Sequence, residues 1–264
     1  MQRSSVIGLF VLALMVLGFL GYRRHLTRFV SAYELRERSL DEVAAQGRHA
    51  SLEVVQIGQT RGLIRRPSSG HRWLLYWGGN TTTYFESAVD VVLALALPPE
   101  VGVLIVAPSG YDSPGHPSPE SVAREAVQAR DWLRQQEGAQ ELVLGSFSMG
   151  CYSVYAAADA QVAGAVMVGA SDDLDLHDPS LFIRYLTPDA YRRAEIAPKV
   201  RSLVIQGSLD EPQYAAVVVA WLGGKQLTLE GVDHMQSRLH PTALREQRAF
   251  ILDALQWSAA APSP

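Results

Sequence analysis

Three side chains, Ser148, Asp210 and His234, occur in an order and in settings that could make a serine hydroxyl nucleophilic. A hydroxyl attacks only when an adjacent base takes its proton, and that base needs an acid to hold it in one tautomer. Ser148 lies in Glu141-Leu-Val-Leu-Gly-Ser-Phe-Ser-Met-Gly-Cys151. The apolar run Leu142 to Leu144 predicts a buried strand, and the Ala-rich sequence to Ala158 is compatible with a helix. Between them the turn reads small-x-Ser-x-Gly, with Ser146, Ser148 and Gly150 at alternate positions. In a strand–elbow–helix turn the central residue is held in a strained conformation that pushes its side chain out of the sheet. The residues two before and two after must be small, because the strand and helix backbones pass close by. Ser146 stands where glycine is usual. It is small enough for the elbow, and it is a rival hydroxyl ranked below Ser148. A Gly/Ser turn between any strand and helix is the bland alternative.

The partners follow later strands. Gly207-Ser-Leu-Asp210-Glu-Pro212 comes after the run Ser202–Gln206, and Glu230-Gly-Val-Asp-His234 comes after Lys225–Leu229. An Asp after a strand is commonplace and a lone turn His is usually solvated, so the conjunction with Ser148 carries the reading. Asp172 and Asp173, which follow Ala163–Gly169, are rival acids, and so is Glu211 beside Asp210. Asp233 adjoins His234 in sequence and is expected to point elsewhere, while His177 in its polar segment reads as a surface residue. A developing oxyanion needs fixed backbone donors. The Met149 NH is one candidate. The second comes from Tyr76-Trp77-Gly78-Gly79-Asn80, where Gly79 is assigned with Asn80 as the alternative. An ordinary strand-end turn is the other explanation of Gly78-Gly79.

These residues need a scaffold, and the chain supplies a repeating one. Leu52–Ile57 and Leu63–Arg65, separated by Gly58–Gly62, read as a hairpin. Six short, mostly apolar runs follow: Trp73–Trp77, Val101–Ala107, Glu141–Gly145, Ala163–Gly169, Ser202–Gln206 and Lys225–Leu229. Helical segments alternate with them near Tyr84–Ala96, Pro119–Gln136, Met149–Ala158, Gln213–Trp221 and Ala243–Trp257. Strands alternating with helices predict an α/β fold with a mainly parallel sheet covered on both faces. Ser118 as N-cap and Pro119 at the first position mark one helix start, and Val122, Ala126, Ala129 and Leu133 recur there at helical spacing. Ligands of open α/β sheets bind beyond the carboxyl ends of the strands, where all three candidates lie.

Composition narrows the function classes. A net charge of -4 and a pI near 6.0 argue against a nucleic-acid binder. The single cysteine, Cys151, allows no intrachain disulfide and reads as a small buried residue just past the elbow. The seven histidines are scattered without metal-ligand spacing, so chemistry without metal or cofactor is expected. Val6 to Tyr22 is an apolar run without charge, roughly 25 Å long as a helix at ~1.5 Å per residue. That is just short of a bilayer core of about 30 Å. No small-x-small cleavage site follows it, so an uncleaved membrane anchor is favoured over a secretory leader. Arg23, Arg24 and Arg28 on its C-terminal flank lean the folded domain toward the cytoplasm. The expected organisation is an anchor over 1–25, a juxtamembrane linker helix within 26–50, and an α/β domain over 51–257. The longest excursion, 171–199, forms a short cap, and 258–264 is a disordered tail.

With its antiparallel start and its Ser elbow after the third alternating strand, the chain resembles the α/β-hydrolases of the serine hydrolase type. In particular it resembles the small membrane-anchored BEM46-like group. That group carries a His-Gly-Asn-Ala-type oxyanion loop and a Gly-Tyr-Gly-x-Ser-type stretch after the next strand. The counterparts here are Trp77-Gly78-Gly79-Asn80 and Gly110-Tyr111-Asp112-Ser113-Pro114-Gly115. The resemblance covers roughly Leu52 to Trp257, with Trp77 in place of the usual His and Ala107-Pro108-Ser109 in place of Asp-x-Arg. It implies a serine hydrolase acting on a small-molecule or lipid-like carboxylic ester through an acyl-enzyme intermediate. A thioesterase or peptidase with the same three residues, or a hydrolase-like binding protein without turnover, are the alternative readings.

Overall fold

The hairpin that starts the sheet is tighter than its sequence suggests. The computed structural model describes residues 12–19, 40–45, 51–79, 84–111, 119–170, 200–210, 215, 218–219 and 223–256. Strand β1 (Glu53–Ile57) pairs antiparallel with β2 (Thr60–Arg65), and Ile57 opposite Thr60 leaves only Gly58 and Gln59 in the turn. Gly58 has a φ of 59°, the left-handed conformation that a two-residue turn requires. The expected loop over Gly58–Gly62 is corrected accordingly. Gly62 is a strand residue, and a Cβ there would stand 2.7 Å from the carbonyl oxygen of Ile105 on the neighbouring strand.

Six parallel strands complete the sheet: β3 (Arg72–Trp77), β4 (Val101–Val106), β5 (Glu141–Phe147), β6 (Gly164–Val168), β7 (Ser202–Gly207) and β8 (Lys225–Leu229). The spatial order is β1-β2-β4-β3-β5-β6-β7-β8, with β2 antiparallel to β4 and every later pairing parallel. Side chains alternate across each strand, and they sort into two cores. Leu74, Tyr76, Val143 and Phe147 face one layer, which holds helices α1 (Leu40–Ala44), α2 (Tyr84–Ala94) and α6 (Pro241–Ala254). Trp73, Leu75, Leu142 and Leu144 face the other, with α3 (Pro119–Gln136) and α4 (Cys151–Ala157). On α3, Val122, Ala126, Ala129 and Leu133 are all buried, as their spacing predicts. The short α5 (His234–Ser237) lies between β8 and α6. Ala215, Val218 and Val219 are helical within the segment expected over Gln213–Trp221.

Helix α1 falls in the segment assigned to a juxtamembrane linker. Leu40 and Val43 are fully buried in the first core, and Asp41 pairs with Arg61 of β2 at 2.8 Å. The packed unit therefore takes in α1 rather than starting at residue 51. Helix α6 stops at Ala254, short of Trp257, and Gln256 turns left-handed at a φ of 49°.

Residues 12–19 are helical, with Leu12, Leu14, Met15, Val16 and Leu17 exposed. The remainder of the expected anchor Val6–Tyr22 lies outside the described residues, as do the cap over 171–199, the tail and Ser118. Among the described residues no helix is long and apolar enough to cross a membrane. The transmembrane helix expected at the N-terminus is thus not an element of the described fold.

Candidate active site

At the end of β5 the backbone is extended at Phe147, with φ -122° and ψ 138°, and turns left-handed at Ser148, with φ 50°. A non-glycine residue held there stores on the order of 1–3 kcal/mol of strain, which persists only when the surroundings over-determine it. A single 3-10 turn, Ser148–Gly150, then leads into α4. The fixing contact is at Gly150. A Cβ on that residue would lie 2.5 Å from the Trp77 carbonyl oxygen and 2.7 Å from that of Gly78, so the elbow needs glycine there. Ser146 is fully buried opposite Trp77 of β3, and its Oγ has no hydrogen-bond partner. The rival hydroxyl is enclosed in the sheet, while Ser148 is partly exposed at its edge.

The turns after β7 and β8 bring the two other candidates to Ser148. His234 Nε2 lies 2.8 Å from Ser148 Oγ, and His234 Nδ1 lies 2.8 Å from Asp210 Oδ2. The Asp210 side chain is 10% exposed and that of His234 is 35% exposed, so the carboxylate is shielded and the imidazole is reachable. Backbone bonds tie the two turns together: Ser208 N–H donates to Leu229 O at 2.9 Å and Leu209 N–H to Val232 O at 3.1 Å. Gly207 permits this approach, because a Cβ there would collide with the Val232 carbonyl. Buried Gln206 braces the turn from beneath. Its amide donates to Asp210 O at 3.4 Å and accepts from Ala215 N–H at 2.8 Å.

The imidazole is packed on two sides. Its ring tilts against Phe147 with centroids 5.0 Å apart, and Gly169, at the end of β6 with φ 59°, lies against its edge. The Arg238 guanidinium sits 5.9 Å from the Phe147 centroid and also donates to Ser87 Oγ of α2. Burial pushes the nearby Tyr76 phenol above its ordinary range, and the Arg238 charge opposes that shift. Asp233 is turned away from the imidazole. Its carboxylate caps α5, accepting from Gln236 N–H at 2.7 Å, while the Gln236 side chain accepts from the Asp233 N–H.

Gly79 adjoins Ser148: a Cβ on Gly79 would stand 3.1 Å from Ser148 Cβ. The Gly78 N–H is already taken by the Tyr84 hydroxyl at 2.7 Å, which leaves Gly79 as the described residue of this loop with a backbone amide beside the Ser148 side chain. Met149 follows Ser148 within the 3-10 turn, where the first N–H groups of a helix lack intrahelical acceptors. Asn80, Asp172, Asp173, His177 and Glu211 lie outside the described residues. Sequence reading passed over Gly169, Phe147, Tyr84 and Gln206. For Gly169 a faint signal existed, since it ends a strand immediately before the long excursion.

Arranged so, the site can move a proton from Ser148 Oγ to His234 Nε2 while Asp210 holds the Nδ1 proton. No family model matches the chain, and no curated protein matches it. Solved structures do. The chain is similar to an esterase/lipase from an uncultured bacterium (14% identity, TM-score 0.57, covering 90% of this chain and 92% of that one). It is similar to a Pyrobaculum calidifontis esterase (17% identity, TM-score 0.55, covering 80% and 86%). It is also similar to a Mycobacterium tuberculosis puromycin-hydrolyzing peptidase (16% identity, TM-score 0.55, covering 81%), of which it spans only 40%. At these identities the likeness establishes the α/β-hydrolase fold.

Proposed function

We propose that this α/β-hydrolase fold carries a serine hydrolase that cleaves carboxylic esters through an acyl-enzyme. The observation that carries the reading is the pair of 2.8 Å contacts linking Asp210, His234 and Ser148, with Ser148 on a left-handed backbone. Ser148 Oγ attacks the ester carbonyl carbon as His234 Nε2 takes its proton. The carbonyl oxygen becomes an oxyanion, which the Gly79 and Met149 amides receive. Collapse expels the alcohol, protonated by His234, and leaves the acyl group on Ser148. Water then attacks the acyl carbon with His234 again as base, releasing the acid and restoring Ser148. Asp210 keeps the imidazole in the tautomer that presents Nε2 to Ser148 and stabilises the imidazolium. No cofactor enters this scheme.

The ester class is supported by the two esterases of like fold. A lipid-like ester met at a membrane fits the uncharged run over residues 6–22, and it fits the resemblance to the BEM46-like group, which is closer at the elbow than at the two loops where Trp77 and Ala107-Pro108-Ser109 depart from that group. The reading is tested by labelling with a fluorophosphonate probe and by turnover of short acyl esters, thioesters and amides. Ser148→Ala should lose both labelling and ester turnover while Ser146→Ala keeps them. An active Ser148→Ala beside a dead Ser146→Ala would transfer the nucleophile to Ser146.

A further inference from the structure

We infer that Tyr84 is the positioning residue of the oxyanion loop, aiming the Gly79 amide by clamping the peptide before it. The inference rests on the serine hydrolase reading and adds a residue that is remote in sequence from the elbow. Two consecutive glycines, Gly78 and Gly79, leave that loop little intrinsic preference for one backbone path. An oxyanion donor is useful only if it is preorganised, so something outside the loop must fix it.

Tyr84, at the start of α2 and 2% exposed, has the geometry to do so. Its hydroxyl accepts a hydrogen bond from Gly78 N–H at 2.7 Å and donates one to Val106 O at 2.8 Å. One buried phenol thus bridges the loop after β3 to the end of β4. Its ring also lies flat beneath the loop, since a Cβ on Gly78 would be 3.2 to 3.3 Å from three of its ring carbons. The elbow holds the opposite side through Gly150 against the Trp77 and Gly78 carbonyls and Ser148 against Gly79. With the Gly78 N–H engaged by Tyr84, the next amide along is the one left to face the substrate. The ring is itself fixed by Tyr111 at 4.7 Å and Phe85 at 5.4 Å between centroids, contacts that a phenylalanine would keep.

Tyr84→Phe therefore removes the clamp and spares the packing. On a soluble acetyl ester its kcat should fall roughly 10- to 100-fold, less than the 10²–10³-fold lost with an oxyanion donor itself, with KM changed less than about twofold. Gly78→Ala, whose Cβ would stand 3.2 to 3.3 Å from the Tyr84 ring and press loop and ring apart by a few tenths of an ångström with the hydroxyl left in place, should show the same kcat-selective loss. It also carries the test should Tyr84→Phe fold poorly. Because both act through one contact, the double variant should lose less than the product of the single losses. Thermal melting of each variant reports folding separately. A folded Tyr84→Phe or Gly78→Ala that keeps kcat within twofold, a KM that rises in step with the loss, or losses that multiply in the double variant would overturn the inference. Fluorophosphonate labelling of the unmodified protein at Ser148 distinguishes the two levels. Absence of label removes the hydrolase reading and this inference with it, whereas label with an unimpaired Tyr84→Phe removes this inference alone.

Discussion

Replacing Gly169 by alanine should disable the site without altering any of the three residues assigned to the chemistry. Gly169 closes β6 with φ 59°, and its N–H is held by Ile205 O at 2.8 Å, so its Cα is not free to shift. An added Cβ would stand 2.7 Å from His234 Cε1 and 2.9 Å from Nδ1. Carbon atoms pack best at about 3.5–4.0 Å, so the imidazole must retreat by about 0.8 Å or more. Phe147, 5.0 Å away between centroids, blocks retreat on one face. Movement in the remaining directions stretches at least one of the two 2.8 Å contacts, to Ser148 or to Asp210. A misplacement of roughly 1 Å costs on the order of 10²-fold in rate, and that is the loss expected in kcat/KM. The left-handed alanine itself costs about 1–2 kcal/mol, small against a domain stability of about 5–15 kcal/mol, so the variant should fold.

The assay is ester turnover together with a melting curve, and Gly70→Ala is the matched control. Gly70 has φ 81° with nothing within 4 Å of an added Cβ, so it carries a similar backbone penalty in open space. Gly70→Ala should lose stability and keep turnover; Gly169→Ala should lose both. Turnover within about threefold of the parent in Gly169→Ala, or an equal loss in Gly70→Ala, would refute the steric reasoning.

Other outcomes follow from the same structure. Asp210→Asn should lower turnover by roughly 10⁴-fold, whereas Asp233→Ala should cost about 1 kcal/mol through its lost cap and leave kcat nearly unchanged; equal kinetic losses would move the acid. The Asp159 carboxylate is held below its ordinary range chiefly by the hydrogen bond from Arg134, which reaches it at 2.7 and 2.9 Å. A depressed folded-state value means stability present above the unfolded value of 3.8 and lost as pH falls through the folded one. The melting difference between parent and Asp159→Asn, about 1 kcal/mol at most for so open a pair, should shrink below that pH; a difference flat with pH would refute the pairing. The intact chain should sediment with membranes and a chain lacking residues 1–25 should not, while a mature N-terminus downstream of Gly21 in cells would mark a cleaved leader instead.

How much of this was legible depended on how each element is stabilised. Most of the six parallel strands stood out as short apolar runs alternating with helical segments, and β8, although three of its five residues are polar, begins and ends at the expected Lys225 and Leu229. Helix α1 was legible as a helix but not as part of the packed unit, because Leu40 and Val43 are two apolar residues inside a charged segment. Such a helix draws its stability from tertiary packing rather than from its own sequence. The hairpin erred for a related reason. Gly62 looks like turn punctuation, yet its glycine serves the close passage of β4, a partner more than forty residues away.

The site divides along the same line. Ser148, Asp210 and His234 were visible because proton transfer needs particular heteroatoms and the fold places them after particular strands. Gly169 and Tyr84 would act by volume and by a single hydroxyl directed at backbone, and no local pattern announces either role. The Gly169 contact with His234 exists only because β6, β7 and β8 lie side by side, which brings the ends of strands far apart in sequence to one edge. A chance small-x-Ser-x-Gly turn, with an Asp and a His in the correct order, would share the three visible residues. It would have no reason to require glycine against the imidazole or a tyrosine hydroxyl beneath the oxyanion loop. Variants at Gly169 and Tyr84 therefore separate an assembled site from a coincidence of motifs more sharply than removal of the Ser148 hydroxyl does.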